Sequence, residues 1–313
     1  MKYYIIAGEA SGDLHGSNLI KALKKKDPDA QIRAWGGDLM QEAGAELVKH
    51  YKDLAFMGFI EVVKNLRTIL GNMKFCKQDI EAFQPDVVIM IDYPGFNLRI
   101  AKWTHQKGFK TFYYISPQIW AWHSSRVHGI KATIDRMFVI LPFEKEFYEK
   151  YDYEVDFVGH PLMDVVENFP EQPDFNQEYG LDERPIIALL PGSRRQEISR
   201  MLDIMLQVIP HFSDYQFVIG GAPSIPLSFY EDIITKAKAE DQVSVMSNKT
   251  YSLLQQSKAA LVTSGTATLE TALFNVPQVV CYKGNRLSYW IARRLVNVKY
   301  ISLVNLIVDR AAG

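Results

Sequence analysis

Short apolar runs rich in β-branched and aromatic residues recur along the chain. They lie at 3–8 (YYIIAG), 87–92 (VVIMID), 111–116 (TFYYIS), 137–142 (MFVILP) and 155–159 (VDFVG), and again at 185–192 (PIIALLPG), 216–221 (QFVIGG), 259–265 (AALVTSG) and 278–282 (QVVCY). Stretches with helical spacing separate many of these runs. Strands apolar on both faces and separated by helices belong to parallel sheets covered on both sides. The pattern therefore predicts an α/β protein with two doubly wound halves. Region 158–185 divides the two series; it carries Pro161, Pro170, Pro173 and Pro185 and no sustained strand pattern, and it reads as the interdomain linker. The expected domains are 1–163 and 164–313, each a normal size for one α/β domain. Ligands of open parallel sheets bind beyond the C-terminal strand ends. Residues just after each strand are thus the candidates, and a cleft between the halves is the expected site.

Composition narrows the picture. The 313 residues are 48% hydrophobic and 23% charged, which fits a folding globular chain. The net charge of −1 gives no overall basic field for nucleic acid. The two cysteines, Cys76 and Cys281, lie far apart and outside any CxxC or Cys/His cluster, against a disulfide framework or structural zinc. MKYYIIAG at the N-terminus reads as a first strand; a signal peptide has a longer apolar stretch and a small-residue cleavage site. No run of about 18 apolar residues appears, so no membrane span is expected and the default compartment is the cytoplasm.

The candidate chemistry follows predicted strands. Gly8-Glu9-Ala10-Ser11-Gly12-Asp13 closes the first strand. Its spacing is neither GxGxxG nor a P-loop, and a tight turn with Ser11 or Asp13 as a helix cap explains it equally well. Ile91-Asp92-Tyr93-Pro94-Gly95-Phe96-Asn97 ends a strand in a carboxylate. Asp92 is a candidate general base for a sugar hydroxyl; the bland reading makes it a cap for a helix beginning near Asn97. Ser116-Pro117-Gln118-Ile119-Trp120-Ala121-Trp122-His123 offers aromatic faces for sugar rings or acyl chains. Two residues apart on a helix, Trp120 and Trp122 cannot both point inward. Pro191-Gly192-Ser193-Arg194-Arg195-Gln196-Glu197 runs from a strand into a helix with Ser193 expected at the N-cap. Helix N–H groups and arginines make an anion site there, while a Ser193–Gln196 capping box would satisfy the same residues. Thr263-Ser264-Gly265-Thr266-Ala267-Thr268-Leu269-Glu270 repeats the theme. A diphosphate can sit on its helix start, with Glu270 accepting hydrogen bonds from ribose hydroxyls or merely favouring the helix dipole. No DxD pair stands out, so no metal is expected. Two further stretches, 54–75 and 286–294, mix large apolar residues with Lys and Arg. They read as core-facing helices or as segments lying in a membrane interface.

Taken together these motifs resemble the lipid-A-disaccharide synthase family. The likeness rests on GEASGD (8–13), FMGFIEV (56–62), IDYPGFN (91–97), YISPQIWAW (114–122), FVGHPL (157–162), LLPGSRRQEI (189–198), TSGTATLE (263–270) and SLVNLI (302–307), in the family's order along nearly the whole chain. The resemblance implies a GT-B fold and an inverting glycosyltransferase. It would join UDP-2,3-diacylglucosamine to 2,3-diacylglucosamine 1-phosphate (lipid X) through a β(1→6) bond, releasing UDP without a cofactor. It implies Asp92 as the base. It assigns Ser193, Arg194, Ser264, Gly265, Thr266, Glu270 and Asn305 to the nucleotide and its diphosphate, and Glu9, Ser11, Met57, Gln118 and Trp120 to the acceptor and lipid side. It also implies peripheral attachment to the inner face of the inner membrane, and a homodimer in the full-length form. Two features depart from the family pattern. Gly95 stands where some members have a second Asp, leaving Asp92 the one carboxylate of that motif. The sequence ends at VDRAAG, where family members continue for several helices, so this chain is expected to be an incomplete enzyme with weak activity or self-association. The alternatives are another GT-B enzyme or UDP-GlcNAc 2-epimerase, and a noncatalytic lipid- or nucleotide-binding fragment.

Overall fold

The computed structural model describes residues 1–54, 66–122, 124–283 and 302–308. The chain divides into two compact units, Met1–Pro161 and Leu162–Gly313.

The N-terminal unit is built on strands β1 (Lys2–Ala7), β2 (Gln31–Gly36), β3 (Glu46–His50), β4 (Val87–Ile91), β5 (Thr111–Tyr114), β6 (Arg136–Val139) and β7 (Asp156–Phe157). They form one sheet in the order β3-β2-β1-β4-β5-β6-β7, and every neighbouring pair is parallel. Strand alternation divides its side chains between two cores. Tyr3, Ile5 and Ala7 of β1 face one core with Ile20 of the helix Ala10–Lys26 and Met40. Tyr4 and Ile6 face the other, with Met73, Cys76 and Ile80 of the helix Leu66–Phe83 and Phe96 and Ile100 of the helix Pro94–Gln106. Burying each such side chain contributes about 1.5–3 kcal/mol, which is why β1 and β4 read as continuous apolar runs. The second core also holds polar groups that satisfy one another. Tyr4 donates its hydroxyl hydrogen to Asp79 at 2.7 Å, accepts from the Trp35 indole at 2.8 Å, and Asp79 pairs with Arg33 at 2.9 Å.

The C-terminal unit contains β8 (Ile186–Leu190), β9 (Gln216–Gly221), β10 (Val243–Ser247), β11 (Ser257–Thr263) and β12 (Gln278–Cys281). Their order is β10-β9-β8-β11-β12, again all parallel. Ile187 and Leu189 face one core and Ile186, Ala188 and Leu190 the other.

Region 158–185, expected to be a linker, is largely part of this unit. It forms the helices Leu162–Glu167 and Phe175–Glu178, buries Phe175 in the core, and is tied down by the Gln172 N–H donating to Gln255 at 3.2 Å. Pro170 and Pro173 sit between these helices, while Pro161 precedes the first and Pro185 leads into β8, so the strand-free pattern marked irregular packing. Cys76 and Cys281 are both free, and burial pushes the Cys76 thiol well above its ordinary range. Among the described residues, no helix is long and apolar enough to cross a membrane.

Candidate functional site

In each sheet the strand order reverses at one point, between β1 and β4 and between β8 and β11. Connections leave such a point in opposite directions and open a crevice beyond the strand ends. Most of the predicted site residues follow these four strands.

In the N-terminal unit, Gly8 and Glu9 follow β1, and Asp92 and Tyr93 follow β4. The two turns touch closely: a Cβ on Gly8 would lie 2.3 Å from the Tyr93 ring, so only glycine fits beneath it. Asp92 and Tyr93 both adopt left-handed backbone, with φ of 44° and 51°. Each such residue costs roughly 1–3 kcal/mol and persists where its surroundings over-determine it. Here they do. The Asp92 N–H donates to the Tyr114 carbonyl at 3.1 Å. Its carbonyl accepts from the Tyr113 hydroxyl at 2.6 Å and from Asn97 Nδ2 at 2.8 Å, and both donors are fully buried side chains. The helix begins at Pro94 and not near Asn97, and its N-cap is Tyr93, not Asp92. The half-buried Asp92 carboxyl is pushed up to about 6. Burial is the main cause and the Glu9 charge adds to it, against a hydrogen bond from the Tyr93 N–H. A carboxylate in that range is ionised at neutral pH yet basic enough to take a proton.

The neighbouring candidates separate. Asp13 does not cap the helix that follows its own turn, as the bland reading has it; it lies within that helix and caps a different one. It is buried, and its carboxylate accepts from the N–H groups of Gly37, Leu39 and Met40 at 2.7, 3.2 and 3.1 Å, capping the helix Asp38–Glu42. Glu9 and Ser11 are exposed at the start of the helix Ala10–Lys26, and Gln118 is exposed after β5. Trp120 packs edge-on against Phe143 at 4.9 Å beside the buried Glu144. Glu144 is pushed up to about 7 by burial, opposed by the Leu141 and Ile140 N–H groups that it accepts at 2.9 and 3.2 Å. Trp120 is half-buried there. Met57, His123 and the Trp122 side chain lie outside the described residues.

In the C-terminal unit the turns after β8 and β11 line a cavity of about 800 Å³ that includes Ser193, Arg194, Ser264, Gly265, Thr266 and Glu270. Gly192 has a φ of 113°, which brings Ser193 back over its own helix. The N-cap of the helix Arg195–Leu206 is Arg194, not Ser193. The expected Ser193–Gln196 capping box is replaced by Glu197, whose carboxylate accepts the Ser193 N–H at 3.0 Å. The left-handed glycine shifts the helix start by one residue and puts Glu197 where Gln196 was expected. Opposite, the helix Thr266–Leu273 begins after Gly265. Helix starts leave N–H groups without intrahelical acceptors, and Arg194 adds a fixed cation. A smaller cavity of about 350 Å³ shares Arg194, Glu197 and Thr263 and adds Arg195, Arg200 and Lys283.

Glu270 lies in the wall of the larger cavity. Burial raises its pKa, and a hydrogen bond from the Tyr251 hydroxyl at 2.9 Å opposes the shift. Tyr251 is held in turn by Phe169 and Phe274, with ring centroids 5.8 and 5.4 Å away. Among the described residues, no group of three or more His, Cys, Asp or Glu side chains gathers as metal ligands would.

The lipid-A-disaccharide synthetase family model matches residues 3–312. A lipid-A-disaccharide synthase of Syntrophus aciditrophicus is 42% identical over 99% of this chain and 82% of its own length. The enzyme of the same name from Coxiella burnetii is 37% identical over 97% and 81%. The chain belongs to the lipid-A-disaccharide synthase family. Solved structures agree on the fold. UDP-GlcNAc 2-epimerase of Neisseria meningitidis, bound to UDP-GlcNAc, superposes with a TM-score of 0.64 at 13% identity, over 99% of this chain and 90% of that one. A calicheamicin glycosyltransferase superposes at 0.54 and 15%, over 89% and 78%. The fold is the GT-B arrangement shared by these glycosyltransferases and epimerases.

Within this lipid-A-disaccharide synthase family member, Asn305 does not join the cavity lining. It lies on the helix Leu303–Val308, which follows Ser302, whose hydroxyl donates to Thr268 Oγ1 at 3.3 Å. Residues that the sequence reading missed include Gly220 near the end of β9, Ala222 just beyond it, and Lys249 and Tyr251 beyond β10. GGAP, spanning the end of the recognised β9 run, was an available signal. SNKT after β10 was not, because β10 itself was not recognised.

Proposed function

We propose that this chain transfers the diacylglucosamine group of UDP-2,3-diacylglucosamine to the 6-hydroxyl of lipid X, forming the β(1→6)-linked disaccharide 1-phosphate and UDP. The observation that carries this reading is the C-terminal cavity. Two helix starts and Arg194 suit a diphosphate, and the half-buried Glu270 suits hydroxyls. Asp92 takes the proton of the acceptor hydroxyl as its oxygen attacks the anomeric carbon from the face opposite UDP. The new C–O bond forms as the bond to the diphosphate oxygen breaks. Positive charge and N–H dipoles around the diphosphate stabilise the negative charge gathering on the departing UDP. These groups supply what a divalent cation supplies elsewhere, so the reaction proceeds without one. The enzyme works at the inner face of the inner membrane, where its acylated substrates lie. Exposed Leu70 and Phe75, beside exposed Arg67 and Lys74 on the helix Leu66–Phe83, support this attachment. Of the stretches 54–75 and 286–294 expected to provide it, residues 55–65 and all of 286–294 lie outside the described residues.

The deciding experiment is incubation with both lipid substrates in EDTA, with mass spectrometry of the products. Acceptor-dependent disaccharide is expected. Turnover of UDP-GlcNAc without acceptor would instead identify an epimerase, and UDP binding with no product a noncatalytic fragment.

A further inference from the structure

Tyr251 and Glu270 come from different helices, Thr250–Gln256 and Thr266–Leu273, and meet in the wall of the C-terminal cavity. We propose that Tyr251 is a positioning residue for Glu270, and that the pair makes the cavity select a nucleotide with free ribose hydroxyls over its deoxy counterpart. The inference rests on the nucleotide reading of this cavity.

A phenol has one proton, and Tyr251 spends it on Glu270 Oε1 at 2.9 Å. What the pair then offers a ligand is acceptors: the second carboxylate oxygen and the lone pairs of the phenol oxygen. Acceptors at fixed spacing call for donors at fixed spacing, which the cis hydroxyls of a ribose provide. A phosphate brings no donor and meets repulsion here, so this wall and the Arg194 turn bind different parts of one ligand. The spacing is rigid because Phe169 and Phe274 pack the Tyr251 ring from two directions. The Tyr251 hydrogen bond also works against the burial that disfavours the ionised Glu270. A missing ribose hydroxyl would leave a half-buried carboxylate oxygen unpaired, an arrangement that disfavours a deoxy analogue.

Calorimetry on the intact chain with UDP and 2′-deoxy-UDP tests this. The wild type should prefer UDP by about tenfold or more. Tyr251→Phe keeps the ring packing and should bring the ratio near one, through weaker UDP binding with little change for 2′-deoxy-UDP. Glu270→Asp keeps the charge but withdraws it from the phenol, and should collapse the ratio in the same way. Equal weakening of both nucleotides by Tyr251→Phe would mean a packing role and overturn the inference, as would an unchanged ratio in that variant. A wild type that binds both nucleotides equally would also overturn it. If the wild type does not bind UDP at all, the nucleotide reading of the cavity fails and the inference falls with it. If it binds UDP selectively, and Glu270→Ala removes the selectivity while Tyr251→Phe does not, the inference alone fails.

Discussion

The reversal point of the N-terminal sheet is acidic and that of the C-terminal sheet is built for anions. Beyond β1 and β4, burial and then the Glu9 charge raise the proton affinity of Asp92, and strained backbone fixes the carboxylate in place. Beyond β8 and β11, two helix starts and Arg194 surround a cavity with two half-buried acids in its wall: Glu197 accepts the Ser193 N–H, and Glu270 is held by a phenol. Two sheets with the same parallel plan thus carry opposite electrostatics. The topology decides where a ligand can bind, and a few turn residues decide which charge it carries. In the proposed reaction these are the needs of the two partners. The attacking hydroxyl must lose a proton and the leaving group must hold negative charge.

The most direct way to break this division is Asp92→Asn. Turnover should fall about 10²–10⁴-fold, the usual scale for losing a general base, while UDP affinity measured by calorimetry stays unchanged. Turnover close to wild type would remove Asp92 from the mechanism. Next in size, Arg194→Ala and Glu270→Ala should weaken UDP binding by about ten- to a hundredfold, the scale of hydrogen bonds to charged groups. Unaltered affinity in both variants would mean that the cavity serves something else.

A smaller effect tests the acidic pair. Activity should rise with pH through a limb near 6, because the base must be ionised and the Asp92 pKa is about 6. Removing the Glu9 charge makes ionisation of Asp92 easier. In Glu9→Gln the limb should therefore move to lower pH, by up to about one unit. A limb that stays put or moves upward would contradict the coupling. The smallest expected change in stability accompanies Leu70→Ser with Phe75→Ser. Vesicle binding should fall several-fold, about 1 kcal/mol, with little shift in melting temperature, as befits exposed positions. Unchanged vesicle binding would leave these side chains as ordinary surface residues.

The two regions also differed in how readily they could be read. The runs that became β1, β4, β8, β9 and β11 were visible because both their faces are buried, so apolar residues follow one another without interruption. β3 and β10 lie at sheet edges and β2 beside one of them. Their sequences (ELVKH, VSVMS and QIRAWG) interleave polar residues, since one face is partly open or, at Arg33, a charge is paired inside. A search for apolar runs passes over such strands. The cost fell on the C-terminal site, because Lys249 and Tyr251 follow β10. Phe169 was hidden for a different reason: it lies in the proline-bearing region that resembled a linker. Ser193, Arg194, Ser264, Gly265, Thr266 and Glu270 were legible because each sits in a strand–turn–helix passage with small residues at the turn. The start of the helix at Arg195 was not, because it depends on the conformation of Gly192.

The backbone at Asp92 limits which side chains could ever occupy that place. Left-handed φ is tolerated best, after glycine, by Asn and Asp, whose short polar side chains suit it. Glutamate carries the same acid on one more methylene. Longer side chains such as Gln84 also take left-handed backbone in this protein, but the longer arm would move the carboxylate away from where Asp92 holds it. The usual exchange of one acid for the other would therefore displace the base. Asn is the neighbour within easy reach, and it has no proton-accepting power. A lineage keeping this fold while losing transfer activity would drift most readily to Asn at position 92, and would keep Tyr113 and Asn97 to hold a turn that no longer served a base.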